Sequence, residues 1–145
     1  MSERNKNILV RFIESVWNNG DIQAVDDFLA DTYTIHHDPG DPWHKQTLSI
    51  DDFKERVRIS RAPFPDQKFS IQTLVAEGEL VSIVWLWTGT HTKAISGFEA
   101  TGKPFEMSGA TLYFFEHDRI CGHWQVADRL TVYQQLMENQ NQADA

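Results

Sequence analysis

The apolar residues of this chain change their period once, near residue 67, and that change limits the folds open to it. Before it, Ile8, Leu9, Phe12, Ile13, Val16 and Trp17 recur at steps of three and four between Asn5 and Asn19, the spacing of an amphipathic helix. After it the step is two. Phe69, Ile71, Thr73 and Val75 alternate in one expected strand, and Val81, Ile83, Trp85, Trp87, Gly89 and His91 take one face of the next, Leu80 to His91. Helices first and strands afterwards is the α+β order, with helices packed on one face of an antiparallel sheet.

Turn-forming residues place the boundaries. Gly20 ends the first helix, and Asp21 is placed to cap a second with Ile22, Val25, Phe28 and Leu29 as its buried stripe. A strand "YTIHH" follows, then "DPGDPWHKQT", whose two prolines and glycine require a covering loop. Ser49, with Asp52 three residues on, opens a helix carrying Ile50, Phe53 and Val57, and "APFPD" closes it. Two further strands are expected over Phe105 to Glu116 and Ile120 to Ala127. A closing helix with Leu130, Tyr133, Leu136 and Met137 comes next, then a polar tail from about 138 that should fray. Residues 1–145 read as a single domain, since no linker or repeat divides them.

Composition removes several classes of function. The net charge is −8 and no Lys/Arg run gathers on a candidate helix, so the basic footprint of a nucleic-acid binder is missing. One cysteine, Cys121, allows no internal disulfide and has no zinc-site spacing. The start has no long apolar h-region, and no run of eighteen apolar residues occurs, so a cytoplasmic protein without membrane partners is expected. Five Trp and nine Phe either fill a core or line a pocket for a flat apolar ligand. The strand Leu80 to His91 is apolar on its second face too, through Leu80, Val84 and Leu86, which suggests a second subunit there.

"FIESVWNNGD", "YTIHHDP", "FPD" before a strand, "AEGELV", "WTGTHT", "TGKPFEMSG" and "HWQVAD" with "QQL" shortly after come in one order. This series, spanning nearly the whole chain, resembles the SnoaL-like polyketide cyclases of the nuclear transport factor 2-like superfamily. The resemblance implies a curved antiparallel sheet wrapped by helices into a cone, with an open mouth and a largely apolar pocket. It also implies homodimers or higher homo-oligomers through the sheet, and an intramolecular aldol ring closure without metal or cofactor. The position matching the family's catalytic Asp is Asp128, expected to point inward with Trp124 as general acid and base.

The chemistry has its own logic. Taking a proton from carbon beside carbonyls requires a base within hydrogen-bonding reach, and positioned proton transfer contributes about 10² to 10⁴-fold. An ordinary Asp, with a pKa of about 3.9, is a feeble base, which an apolar setting strengthens. His37, His36 and His91 are candidate donors to an enolate oxygen, and the resembled family's pattern of one His ahead of a Pro favours His37 over His36. Trp43 and Arg58 are candidates to close the mouth, and Trp124, Trp85, Trp87, Phe12, Trp17, Met107 and Tyr113 to line the pocket for an apolar or aromatic carbonyl compound. Structural roles compete: Asp128 also stands where a helix N-cap belongs, and Trp85 and Trp87 suit a core. Gly122, where many relatives carry an acidic residue, and a strand offering only Ser108, Thr111 and Tyr113 leave open a non-catalytic binding protein. Isomerase chemistry would want a Tyr where the first helix has Phe12 and Trp17. Epoxide hydrolysis would want an Arg with two Asp, for which Arg58 and Asp128 are candidates.

Overall fold

The computed structural model describes residues 2–144. α1 (Ser2–Phe12) runs directly into a π-helical segment, Ile13–Asn18, so the stripe read from the sequence is one rod with a widened end. Gly20, at φ +70°, stops it in the left-handed conformation that favours a residue without Cβ. The Asp21 side chain accepts the Ala24 N–H and caps a 3₁₀ turn, Ile22–Ala24, that leads into α2 (Val25–Phe28). Leu29, expected in that helix, instead begins β1 (Leu29–His37). A short β2 (Thr47–Ser49) precedes α3 (Ile50–Arg61), and the Ser49 hydroxyl accepts the Asp52 N–H as its cap.

The remaining strands are β3 (Lys68–Glu77), β4 (Leu80–Thr90), β5 (Pro104–Glu116) and β6 (Arg119–Ala127). They form one curved, unclosed sheet in the order β2-β1-β6-β5-β4-β3. Its pairs are antiparallel except β1 with β6, which is parallel, a departure from the wholly antiparallel expectation. α1 packs against β3 and β4, and α3 against β1 and β2, so the helices close over the inner face of the sheet. Between them lies the core, with Phe12, Phe53, Tyr33, Trp85 and Phe105 among its largest buried side chains.

The register shifts in four places, one of them between Leu29 and Thr34 in β1, and the other three move side chains from one face to the other. In β3 a register shift between Ile71 and Thr73 turns Leu74 and Ala76 inward and leaves Val75 exposed, reversing the expected placing of Thr73 and Val75. In β1, Ile35 pairs with His123 and His37 with Trp124, so His36 is the extra residue. In β6, Phe115 pairs with Ile120 and Phe114 with Gly122, so Cys121 is the extra one. This last bulge corrects the expectation for the final strand: His123 and Gln125 face inward, while Trp124 and Val126, 44% and 52% exposed, face out.

α4 (Arg129–Asp144) continues where a fraying tail was expected. Its last half holds no Gly or Pro, and the Gln135 amide pairs with both the N–H and the carbonyl of Glu106, as a neighbouring strand would. Of the anticipated stripe only Leu136 is buried; Leu130, Tyr133 and Met137 are exposed. Among the described residues no helix is long and apolar enough to cross a membrane.

Candidate active site

The carboxylate inside the sheet is Asp38. The β1 irregularity at His36 puts His37 outward, so the next residue turns in at the strand end, where Asp38 is 0% exposed. His123 Nε2 is 2.9 Å from its Oδ2, Gln125 Nε2 is 3.2 Å from both oxygens, and Arg129 Nη2 is 3.0 Å from Oδ1. Arg56 Nη2 lies 3.6 Å from Oδ2 and 3.2 Å from Asp41 Oδ2. The backbone N–H of Asp38 donates to His44 Nδ1 at 2.8 Å, which ties the covering loop to the strand.

These bonds fix their own direction. An ionised carboxylate only accepts, so His123 donates from Nε2 and, as a neutral ring, accepts at Nδ1 from the Tyr33 hydroxyl 2.6 Å away. On the other side the Trp85 Nε1–H donates to Thr111 Oγ1 at 2.9 Å, and that hydroxyl donates to Gln125 Oε1 at 2.6 Å. Gln125 is thereby oriented with its amino group toward Asp38. Two relays, one from Tyr33 and one from Trp85, converge on a single anion.

The electrostatics agree. Burial alone pushes the Asp38 carboxyl up, but the hydrogen bond from His123 and the charges of Arg129 and Arg56 outweigh it and hold the group below the usual carboxylate range. Burial pushes His123 down, against the raising effect of Asp38, so the imidazole is neutral near pH 7. Burial, with nearby Tyr113, keeps Tyr33 well above its ordinary value and thus protonated. Among the described residues no group of three His, Cys, Asp or Glu is placed to hold a metal ion.

The residues expected from sequence are dispersed. Asp128 does not point inward with a buried Trp124: it is exposed and caps α4, accepting from the Thr131 N–H and hydroxyl, and those bonds lower its pKa. His37 stacks on Trp124 with ring centroids 4.2 Å apart, and His36 lies exposed beside Phe114, both outside the cluster. His91 is buried between Phe64 and Phe105, with neither ring nitrogen hydrogen-bonded. It is near the start of β5, whereas Thr111 is six residues beyond Phe105, about 20 Å of strand. Arg58 is exposed and paired with Glu55. Arg56, two residues earlier on the opposite side of the same helix, faces in, over the rings of Trp17, Phe53 and the half-buried Trp43.

The expected lining is mostly core. Phe12 packs on Phe28, Phe53 and Tyr113; Trp17 on Phe53 and Phe69; Trp87 on Phe64. Trp85 is buried as a hydrogen-bond donor, and Tyr113 lies beside His123. Met107 is half-buried on the inner face. Hollows of about 500 and 460 Å³ lie elsewhere, on the outer side of α4 at Tyr133 and Met137 and beside β1 at Asp31 and Glu116. The aromatic residues expected to line a cavity instead pack on one another around a polar centre. Sequence reading missed Asp38, His123, Gln125, Arg56, Arg129 and Tyr33; Asp38 was readable as an acid directly after a strand, but its facing depended on the bulge.

A SnoaL-like polyketide cyclase family model matches residues 7–136. Among solved structures, a candidate polyketide cyclase from Acidithiobacillus ferrooxidans is 51% identical, covering 94% of this chain and 96% of that one, with a TM-score of 0.90. IdmH, a candidate polyketide cyclase from Streptomyces antibioticus, is 27% identical over 91% of this chain and 97% of its own, with a TM-score of 0.78. AclR, a candidate hydroxylase from Streptomyces galilaeus, shares the fold at 17% identity and a TM-score of 0.80, covering 95% and 98% of the two chains. No match was found among curated protein sequences.

Proposed function

The chain belongs to the SnoaL-like polyketide cyclase family, and from that premise we propose that it is a cofactor-independent acid–base enzyme for an apolar, polyketide-like carbonyl compound, with Asp38 as the proton acceptor and donor. The observation that carries this reading is a fully buried carboxylate held by His123, Gln125, Arg129 and Arg56 in an otherwise aromatic interior. Well-packed apolar residues of similar volume would often be at least as stable in that position, so stability alone gives little reason for the cluster. Perturbed, interlocked titratable groups mark functional sites more often than chance.

In the proposed reaction Asp38 takes a proton from the carbon beside a ketone. The C–H electron pair becomes the enolate double bond, the enolate carbon attacks a second carbonyl of the same molecule, and the new alkoxide recovers the proton from Asp38. Atoms and charge balance without an added reagent. The test is exchange of the α-protons of 2-tetralone, a flat aryl ketone, into D2O followed by NMR. Asp38→Asn is expected to lower the rate by roughly 10² to 10⁴-fold while the circular dichroism spectrum is kept. An unchanged rate would refute the assignment; wild-type binding without exchange would favour a non-catalytic carrier.

One observation favours a second reading. Arg56 bridges Asp38 and Asp41, the arginine with two carboxylates that epoxide hydrolysis needs, in place of Arg58 and Asp128. Incorporation of labelled solvent oxygen into an epoxide would support it. A second copy of the chain is proposed to pack on the outer face of the sheet, where Val84, Leu86, Trp124 and Val126 are exposed.

A further inference from the structure

Arg129 is the most open charged member of the Asp38 cluster. Its side chain is 36% exposed, against 7% for Arg56, 4% for His123 and 1% for Asp38. It lies across the covering loop, with Nε donating to the Pro39 carbonyl at 2.9 Å and Nη2 to Asp38 Oδ1 at 3.0 Å. The loop is shaped for it: a Cβ on Gly40 would stand 2.3 Å from Arg129 Cδ, and Gly40 has φ +93°. Among the described residues, Nη1 of this guanidinium has no hydrogen-bond partner. Arg56, by contrast, is committed to two carboxylates and three aromatic rings, and the Gln125 amino group is committed to Asp38.

We propose that Arg129 donates to the carbonyl oxygen on which negative charge develops as Asp38 removes the neighbouring proton. This rests on the acid–base reading of Asp38. The planar guanidinium presents several parallel donors, so it holds a carbonyl oxygen while still adjoining Oδ1. As its hydrogen bond passes from Oδ1 to the substrate oxygen, Asp38 loses one of the interactions that keep it acidic, and it becomes a stronger base when the proton must be taken. The two residues thus divide the work: Asp38 Oδ1 receives the proton, and Arg129 receives no proton but stabilises the oxyanion left behind.

The test uses α-proton exchange of 2-tetralone by the full chain. Arg129→Gln is expected to lower kcat for exchange by about 10²-fold, the usual effect of removing one oxyanion donor. Binding, read by tryptophan quenching, should be retained. Loss of the adjacent cation raises the Asp38 pKa, so the acid limb of the pH–rate profile should move to higher pH. An exchange rate that is unchanged or increased would mean that Arg129 only restrains Asp38, and would overturn the inference while leaving the Asp38 reading intact. Failure of the wild type to exchange, with Asp38→Asn no different, would overturn both. Should the Gln variant lose its circular dichroism spectrum, Arg129→Met, which keeps the apolar stem and removes every donor, decides: a reduced rate with binding retained supports the oxyanion role, and an undiminished rate refutes it.

Discussion

Asp38 and Asp128 each stand just after a strand, and their surroundings give them opposite characters. Asp128 meets water and the first turn of α4. Asparagine caps a helix about as well as aspartate, so Asp128→Asn should leave stability and proton exchange at wild-type levels, while Asp128→Ala should cost about 1 kcal/mol in urea denaturation. Asp38→Ala should cost about 3–5 kcal/mol in the same assay, because it breaks the buried pairing with Arg56 and Arg129 and leaves the His123 Nε2–H without a partner. Equal effects at the two positions would contradict the assignment of the inward carboxylate. At this scale the sequence was legible for caps, as Asp21 and Ser49 show. It was not legible for which acid is enclosed, since a short motif such as "HHDP" does not record the pairing register of its strand.

At the scale of elements, irregularities in pairing built the site. The extra residue His36 turns Asp38 inward and the extra residue Cys121 turns His123 and Gln125 inward, so two bulges on adjacent strands bring the acid and its partners together. Gly122 serves this pairing and is not a lost polar group of the pocket. A Cβ there would lie 2.5 Å from the Thr34 carbonyl oxygen of β1, which cannot move without breaking the parallel pair. Gly122→Ala is therefore expected to destabilise the protein by roughly 1–3 kcal/mol and to weaken exchange along with it; an unchanged urea midpoint would show that the β1–β6 junction yields more easily. The strand β4 needed no such correction. Its alternation from Val81 to His91 holds throughout, because each of its residues from Leu80 to Thr90 pairs with β5 without interruption.

For the whole molecule, the balance of charge and exposed apolar surface carries two expectations. His123 has a folded pKa below its unfolded value of about 6.5, so the unfolded chain binds more protons as the pH falls through that value and stability declines. Asp38, also depressed, adds its own loss at lower pH, from about 3.9 downward. The melting temperature should fall between pH 6.5 and 5, and His123→Gln should flatten that part of the profile; an equally steep fall in the variant would point to other histidines. The outer face joins Val84 to Val126 through Ala110, and Leu112 to Trp124, in one apolar surface. A specific interface there would bury about 1,200–2,000 Å² in total. Light scattering should then report a dimer that Leu86→Glu converts to a monomer, and a wild-type monomer would remove the proposal.

The sequence by itself determined the order of the long helices and of every strand but the short β2, the apolar inner face of β4, the caps, the loop at 38–46 and the family, because those follow from local propensity, period and motif order. The tertiary structure decided which face each residue of β1, β3 and β6 occupies and hence which acid is buried. A one-residue bulge exchanges the two faces of a strand without changing its composition, so the decision lies in the pairing between distant segments and not in the segment that carries the residue.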